Sequence, residues 1–153
     1  GYNYRLSELG AAVALAQLEK LKEFVELRVK MAEEYREVMK DSKLFIPQKI
    51  QKNYTCTYWT FAVRFLGKQF GIEWQEFRKK YVEFGGDGIY AGNLLLYQEP
   101  AFKQNDIGYG EAKVGEKLQE ELMLFTTNQK DENERESQTD ALRKTIEFFN
   151  LRL

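Results

Sequence analysis

The stretch that most constrains this chain lies close to its start and carries no charged residue between Glu8 and Glu19. Apolar residues recur along it at three- to five-residue spacing, which predicts a helix with an apolar stripe made of Leu6, Leu9, Val13, Leu18, Leu21 and Val25. Alanines fill the positions between them, so the helix is apolar on more than one face and lets another backbone approach closely. A helix of this kind is normally buried by other elements or by a partner chain.

Charged residues dominate from Glu19 onward and surround a narrower apolar face. Like-charged and opposite-charged neighbours partly cancel along this half, which indicates a solvated surface and not a binding site. We predict one long helix over residues 6–41, capped at its start by Ser7 and ended by Asp41 and Ser42.

Composition excludes several classes of site. The chain has no histidine, which rules out histidine-based catalytic triads, zinc sites with histidine ligands and the usual general base. Its single cysteine, Cys56, cannot form an internal disulfide and favours a reducing compartment such as the cytoplasm. A formal net charge of -1 gives no bulk attraction to nucleic acid or to an anionic membrane, and no apolar run is long enough to predict a transmembrane helix. The glutamates at 132, 134 and 136 are interpreted as a solvated run and not as a metal cluster.

Downstream of the first helix, strand patterns alternate with helix patterns. Aromatic and β-branched runs predict strands over residues 58–65, 88–97 (with a break near Gly92) and 122–127. Apolar spacing predicts helices over residues 73–84, 111–121 and 139–149, with a helical turn at 99–102. Pro47 keeps the short apolar step at residues 44–47 from becoming helical, and the charged segment 128–137 is predicted to be a loop or a frayed helix start.

This order predicts an α/β fold of the α+β type: a long N-terminal helix and a three- to four-stranded, mostly antiparallel sheet covered by helices. The 153 residues are predicted to form a single domain, with residues 1–41 as a linking or dimer-interface helix.

The first residues read Gly-Tyr-Asn-Tyr-Arg-Leu-Ser-Glu-Leu and lead into the alanine-rich helix. This stretch resembles the motif G-Y-N-Y-R-[LM]-[ST]-E-[LI], followed by A-A-x-x-L-x-Q-L-x-x-L, of the DegT/DnrJ/StrS family of aminotransferases. Gly10 stands where the family more often has a larger polar residue. Weaker matches follow in the right order at residues 58–61, 84–89, 99–102 and 112–124. Residues 125–128 depart from the family's proline-containing stretch, which leaves the geometry of that loop open.

The resemblance implies the C-terminal small domain of a fold-type I enzyme that uses pyridoxal phosphate (PLP). Such enzymes mostly transfer an amino group, typically from glutamate, to a keto sugar attached to a nucleotide, and some relatives carry out a PLP-assisted dehydration instead. In the family, the Schiff-base lysine and most cofactor contacts lie in a large N-terminal domain. The resemblance therefore implies that this chain has no catalytic residue and completes the site of a partner subunit.

Four residues are predicted to line the site. The resemblance assigns Asn3 to the cofactor phosphate of a neighbouring subunit, for which an amide donor at a turn before a helix is suited. Arg5 is assigned to substrate phosphate, with pairing to Glu8 as the alternative. Tyr90 and Asn93 border a glycine-containing break and are assigned to the sugar nucleotide, with a simple loop as the alternative. No metal site is predicted.

Two other readings of the sequence stay open. The chain is compatible with a complete, non-catalytic module that dimerises through its alanine-rich helix, or with the same domain from a PLP-dependent sugar dehydratase. The predicted partners are a second copy or a missing N-terminal domain. If the chain is isolated, the apolar half of the first helix is left exposed, and we expect self-association.

Overall fold

Helices line one face of an antiparallel sheet in the computed structural model, which describes residues 5–92, 94–102, 108 and 110–151. The helices are α1 (Glu8–Glu19), α2 (Leu21–Met39), α3 (Trp74–Glu83), α4 (Lys113–Glu121) and α5 (Glu132–Asn150). The strands are β1 (Phe45–Pro47), β2 (Thr60–Phe65), β3 (Ile89–Ala91) and β4 (Leu122–Thr126). Short 3-10 turns occupy Gly67–Phe70 and Leu96–Gln98.

The four strands lie in the order β1-β2-β4-β3, and every neighbouring pair is antiparallel. In the central pair Phe61 lies opposite Phe125 and Val63 lies opposite Met123. Alternate residues of β2 and β4 are buried, because successive side chains of a strand point to opposite faces. The predicted fold class, with its mostly antiparallel sheet and covering helices, is confirmed.

Aromatic rings fill the space between the sheet and helices α2, α3 and α5. The Tyr35 ring lies 5.3 Å from that of Phe125, and the Phe77 ring stacks on that of Phe149 at 5.6 Å. These four side chains are fully buried. Each buried aromatic residue removes a large apolar area from water, so this layer fixes how the helices sit on the sheet.

The first helix is not continuous, which corrects the prediction of one helix over residues 6–41. It is divided at Lys20, whose backbone N–H donates to the carbonyl of Gln17 at 3.1 Å. That bond spans three residues instead of the four of a regular α-helix, and it closes α1 with a tight turn before α2 starts. Ser7 caps the start of α1 as predicted, because its hydroxyl accepts a hydrogen bond from the Gly10 amide at 3.1 Å.

Two other predicted bounds were wrong. The strand expected over residues 88–97 stops at Ala91, because Gly92 takes a left-handed φ of 63° and turns the chain out of the sheet. The last helix, predicted over residues 139–149, starts at Glu132, so the segment predicted to be a loop or a frayed helix start is helical from that residue onward. Its N-cap is Asp131, whose carboxylate accepts a hydrogen bond from the Glu134 amide at 2.9 Å.

Helix α1 has no buried residue. Its apolar side chains are exposed all round, with Leu9 at 78% and Leu18 at 63%. Its main contact within the described chain is with α2. No helix in the described ranges is long and apolar enough to cross a membrane.

Candidate functional site

Polar side chains lie together at one end of the strands, where β4 ends and where β2 and β3 begin. We call this the polar edge and define it by Trp59, Asp87, Thr126, Thr127 and Gln129. The antiparallel register places Thr60 beside Thr126 and Ile89 beside Phe125, so the segments that enter β2 and β3 meet the segment that leaves β4. Three separate parts of the sequence therefore contribute to one edge.

Asp87 ties the turn before β3 to the rest of this edge. Its carboxylate accepts hydrogen bonds from the Thr126 hydroxyl at 3.2 Å and from the Gln129 amide at 3.0 Å. Its backbone N–H donates to the side-chain oxygen of Gln138 at 2.7 Å. These bonds join the turn to β4 and α5, so Asp87 acts in the structure as a loop anchor.

A pair of buried tyrosines continues this network into the core. The Tyr81 hydroxyl donates to Gln138 at 2.7 Å and lies 3.3 Å from the Tyr35 hydroxyl. Burial raises the pKa of both tyrosines well above the usual range for a phenol. Both rings therefore stay protonated near neutral pH and serve as hydrogen-bond donors, not as bases.

The chain enters β2 through a strained corner. Tyr58 is not glycine but has a left-handed φ of 47°. The buried hydroxyl of Thr127 donates to the Tyr58 carbonyl at 2.6 Å, and Arg28 donates to the Trp59 carbonyl at 3.1 Å and to Thr127 at 3.0 Å. Residues from α2 and from the end of β4 thus hold this corner in place.

The structure describes two of the four predicted site residues. Arg5 is exposed just before α1, and Tyr90 lies in the edge strand β3, where its side chain is 59% exposed. Tyr90 pairs with Leu124 on the sheet face opposite the buried Ile89. Asn3 and Asn93 lie outside the described residues. Arg5 and Tyr90 therefore lie on separate parts of the chain.

Sequence reasoning missed the residues that organise the polar edge. Arg28 was assigned to a solvated helix face, and Gln138 fell between the charged segment 128–137 and the helix predicted over residues 139–149. Thr127 was placed at the end of a strand, where its hydroxyl had no predicted partner. Their roles depend on contacts between distant parts of the chain, for which the local sequence carries no signal.

A cleft of about 400 Å³ lies at the opposite end of the strands β2 and β4. Three of its charged lining residues form ion pairs: Glu121 lies 2.6 Å from Arg64, and Lys68 lies 3.4 Å from Glu120. We interpret these pairs as surface structure. No group of three or more metal-ligating residues occurs in the parts of the chain that the structure covers.

A PLP site needs a desolvated lysine, and none of the described lysines is buried. The least exposed, Lys80, is already paired with Glu83 at 2.6 Å. The described residues therefore do not form a PLP pocket by themselves. What they offer is a rigid polar edge and exposed apolar surfaces, which suit binding and assembly.

The comparisons with known proteins agree on one family. The family description DegT/DnrJ/EryC1/StrS aminotransferase matches residues 1–135. The chain is similar in fold to PseC of Helicobacter pylori, an aminotransferase of pseudoaminic acid biosynthesis, with a TM-score of 0.80 and 19% identity over 97% of this chain and 40% of that one. It is also similar to DesV of S. venezuelae (TM-score 0.79, 19% identity, 96% of this chain and 38% of that one).

A third similar structure is the sugar aminotransferase CalS13 of Micromonospora echinospora, with a TM-score of 0.74 and 12% identity over 94% of this chain and 37% of that one. No curated protein sequence matches the chain. The chain thus spans about 40% of the length of PseC and somewhat less of the other two. Since the family description covers most of its residues, the chain belongs to the DegT/DnrJ/EryC1/StrS aminotransferase family.

Proposed function

We propose that this chain is the C-terminal domain of a PLP-dependent aminotransferase that acts on a nucleotide-linked keto sugar in the cytoplasm. The observation that carries the proposal is the family match over residues 1–135, together with a fold shared with only part of the sugar aminotransferases. The amino donor in this proposal is an amino acid such as glutamate.

In this proposal the chain completes a site whose cofactor pocket is built mainly by a larger domain. PLP, when bound, supplies the electron sink for amino transfer. Since the described lysines are not buried, the group that holds the cofactor covalently belongs to the rest of a longer polypeptide. From this chain we assign Asn3 to the cofactor phosphate of a partner subunit and Arg5, Tyr90 and Asn93 to the substrate.

The exposed surface of α1 supports the proposal that a larger domain builds most of the cofactor pocket. Its apolar side chains point outward on all sides, and burying one leucine or valine contributes about 1.5–3 kcal/mol. A helix with apolar residues all round is covered from more than one direction in a finished protein. We therefore propose that residues 1–41 form the link to the larger domain and part of a subunit interface.

The test is to express the longest reading frame that contains this chain and to measure amino transfer from glutamate to a nucleotide-linked keto sugar. Asn3→Asp removes the amide donor and places a negative charge against phosphate. Loss of a hydrogen bond to a charged group costs about 1.5–3 kcal/mol, so PLP affinity should fall about 10- to 150-fold. The exposed Asn150→Ala serves as the matched control and should bind PLP like the parent.

Unchanged PLP affinity in Asn3→Asp would remove Asn3 from the cofactor site. Intact mass of this chain after incubation with PLP and borohydride tests the division between domains. One stoichiometric adduct on a single lysine would show that the chain builds its own site, against the proposal.

A second candidate function is a non-catalytic module that dimerises through α1. The exposure of the whole apolar helix favours it as well. A reading frame that starts near Gly1 and encodes an obligate dimer without PLP affinity would support this alternative. A full-length protein that eliminates water from the sugar, and transfers no amino group to it, would instead identify a dehydratase of the same family.

A further inference from the structure

Among the aromatic side chains of the described residues, that of Trp59 is the most exposed, at 80%. The residue before it packs toward the core: the Tyr58 ring lies 6.1 Å from that of the buried Phe61. An indole is a large apolar ring that is rarely left in water without a partner. Its exposure leaves a large planar surface open to a ligand or to a contact surface.

The backbone that carries this indole is held unusually firmly. Tyr58 is kept in the left-handed region, which costs about 1–3 kcal/mol for a residue of this type and persists only where surrounding contacts enforce it. Those contacts are the hydrogen bonds from Thr127 and Arg28 to two successive carbonyls. Since Thr127 is only 1% exposed, the anchor is part of the core and the backbone that carries the indole is fixed without a ligand.

The two anchoring side chains also line a small cleft of about 220 Å³. Phe24 and Leu27 give it apolar walls, and Arg28 supplies positive charge. The other charged lining residues are Glu23 and Lys130, whose Nζ lies 3.8 Å from Glu134. Arg28 uses Nη1 to hold the corner, and no hydrogen bond from its Nε or Nη2 is seen within the described residues. Its planar fork is suited to a phosphate, which it binds through two parallel N–H donors.

A buried acceptor without a donor lines the same cleft. The Gln129 side chain is 4% exposed, and its Oε1 atom has no hydrogen-bond partner among the described residues. Such atoms are rare in folded proteins, and bound water or a ligand is the usual explanation. This unpaired acceptor belongs to a residue that lines the cleft, and it is an observation independent of the exposed ring.

We propose that this corner binds a nucleotide, with the indole of Trp59 stacked on the base and the guanidinium of Arg28 on a phosphate. A nucleotide carries a planar base and an anionic phosphate, which matches an exposed indole whose own backbone carbonyl is bound by a cation. Base stacking on an aromatic side chain accepts any base. The assignment rests on the proposed function, for which it names the residues that hold the nucleotide part of the substrate. A protein surface that covers Trp59 is the competing occupant.

The experiment uses this chain and its two tryptophans, Trp59 and Trp74. In Trp74→Phe the fluorescence reports Trp59 alone, and in Trp59→Phe it reports Trp74 alone as the matched control. Both are titrated with uridine diphosphate, uridine and inorganic pyrophosphate. We expect uridine diphosphate to quench Trp59 saturably, uridine to quench it more weakly, and pyrophosphate to compete without quenching. Trp74 should not respond.

Two further variants, checked for folding by circular dichroism, separate the two halves of the site. Trp59→Ala should raise the Kd for uridine diphosphate about 5- to 150-fold in calorimetry, the usual effect of losing one stacked base. Arg28→Gln should raise the Kd for uridine diphosphate about tenfold or more and leave that for uridine unchanged. A general disturbance of the corner would weaken both ligands, so this difference distinguishes phosphate binding from a structural role.

Equal Kd values for the parent and Trp59→Ala would overturn the proposal, as would the absence of saturable quenching. Emission from Trp59 that shifts only with protein concentration would identify a protein contact and would also overturn it. These results do not depend on amino transfer, so a failed nucleotide site and a failed aminotransferase assignment remain distinguishable.

Discussion

Removing one hydroxyl from the buried tyrosine pair should lower the free energy of unfolding by an amount that follows from the hydrogen bonds lost. In Tyr81→Phe the ring and its packing remain, but Gln138 loses its 2.7 Å donor and Tyr35 loses a partner at 3.3 Å. Gln138 keeps the Asp87 amide as a donor at 2.7 Å, so only part of its bonding is lost. One lost hydrogen bond with partial desolvation of its partners gives about 1–3 kcal/mol.

The assay is urea unfolding followed by circular dichroism, in which a change of midpoint at constant m-value reports stability. Tyr54→Phe is the matched control: that side chain is 72% exposed, and the expected change is below about 0.5 kcal/mol. Tyr35→Phe and the double variant complete a cycle. The double variant should cost less than the sum of the two single variants, because it leaves neither hydroxyl facing an unpaired neighbour. A Tyr81→Phe midpoint equal to that of Tyr54→Phe, or strictly additive costs, would refute the reasoning.

Four further outcomes follow from the structure. Burial raises the pKa of Tyr35 and of Tyr81 in the folded state above the unfolded-state pKa of about 10. The stability that these groups contribute is therefore complete below about pH 10 and is lost as pH rises above it. With rising pH, urea midpoints should fall more steeply in the parent than in the double Phe variant. Asp131→Ala should cost about 0.5–2 kcal/mol in urea unfolding, and replacement by Asn should restore most of it; an unchanged midpoint would contradict the N-cap. Gly86→Ala should destabilise by about 1–3 kcal/mol, because a Cβ would lie 2.4 Å from the Tyr81 ring; a neutral result in the same assay would show that the turn can shift. Val13→Glu should reduce self-association in sedimentation, and a parent chain that is already a stable monomer would contradict that expectation.

The local sequence pattern was sufficient to predict those helices and strands whose own residues determine their conformation. The aromatic and β-branched content around Phe61 predicted β2, and the apolar spacing around Phe77 predicted α3. The N-cap at Asp131, followed by Glu134, was visible as a helix-start signal, but the surrounding charges led to a loop assignment. The break at Lys20 had no such signal, because neither glycine nor proline marks it.

The candidate site was harder to predict because it is assembled across the sequence. Trp59 was included in a predicted strand, and its exposure depends on the left-handed φ of Tyr58, which is not a residue that favours that conformation. The anchors of that corner come from α2 and from the end of β4, so no window of sequence contains them together. The assignments of Asn3, Arg5, Tyr90 and Asn93 remain predictions that rest on the family resemblance.

The strand order β1-β2-β4-β3 also constrains when the sheet can form during synthesis. Strands β1 and β2 are close in sequence and can pair as soon as both have been made. Strand β3 cannot pair at that stage, because its partner in the sheet is β4, which is synthesised later. Strand β4 then pairs with β2 on one side and with β3 on the other. Until residues 122–126 are available, Phe61 has no Phe125 opposite it and β3 has no strand to pair with. A nascent chain that stops before β4 therefore carries an unfinished hydrophobic sheet, the kind of species on which chaperones act.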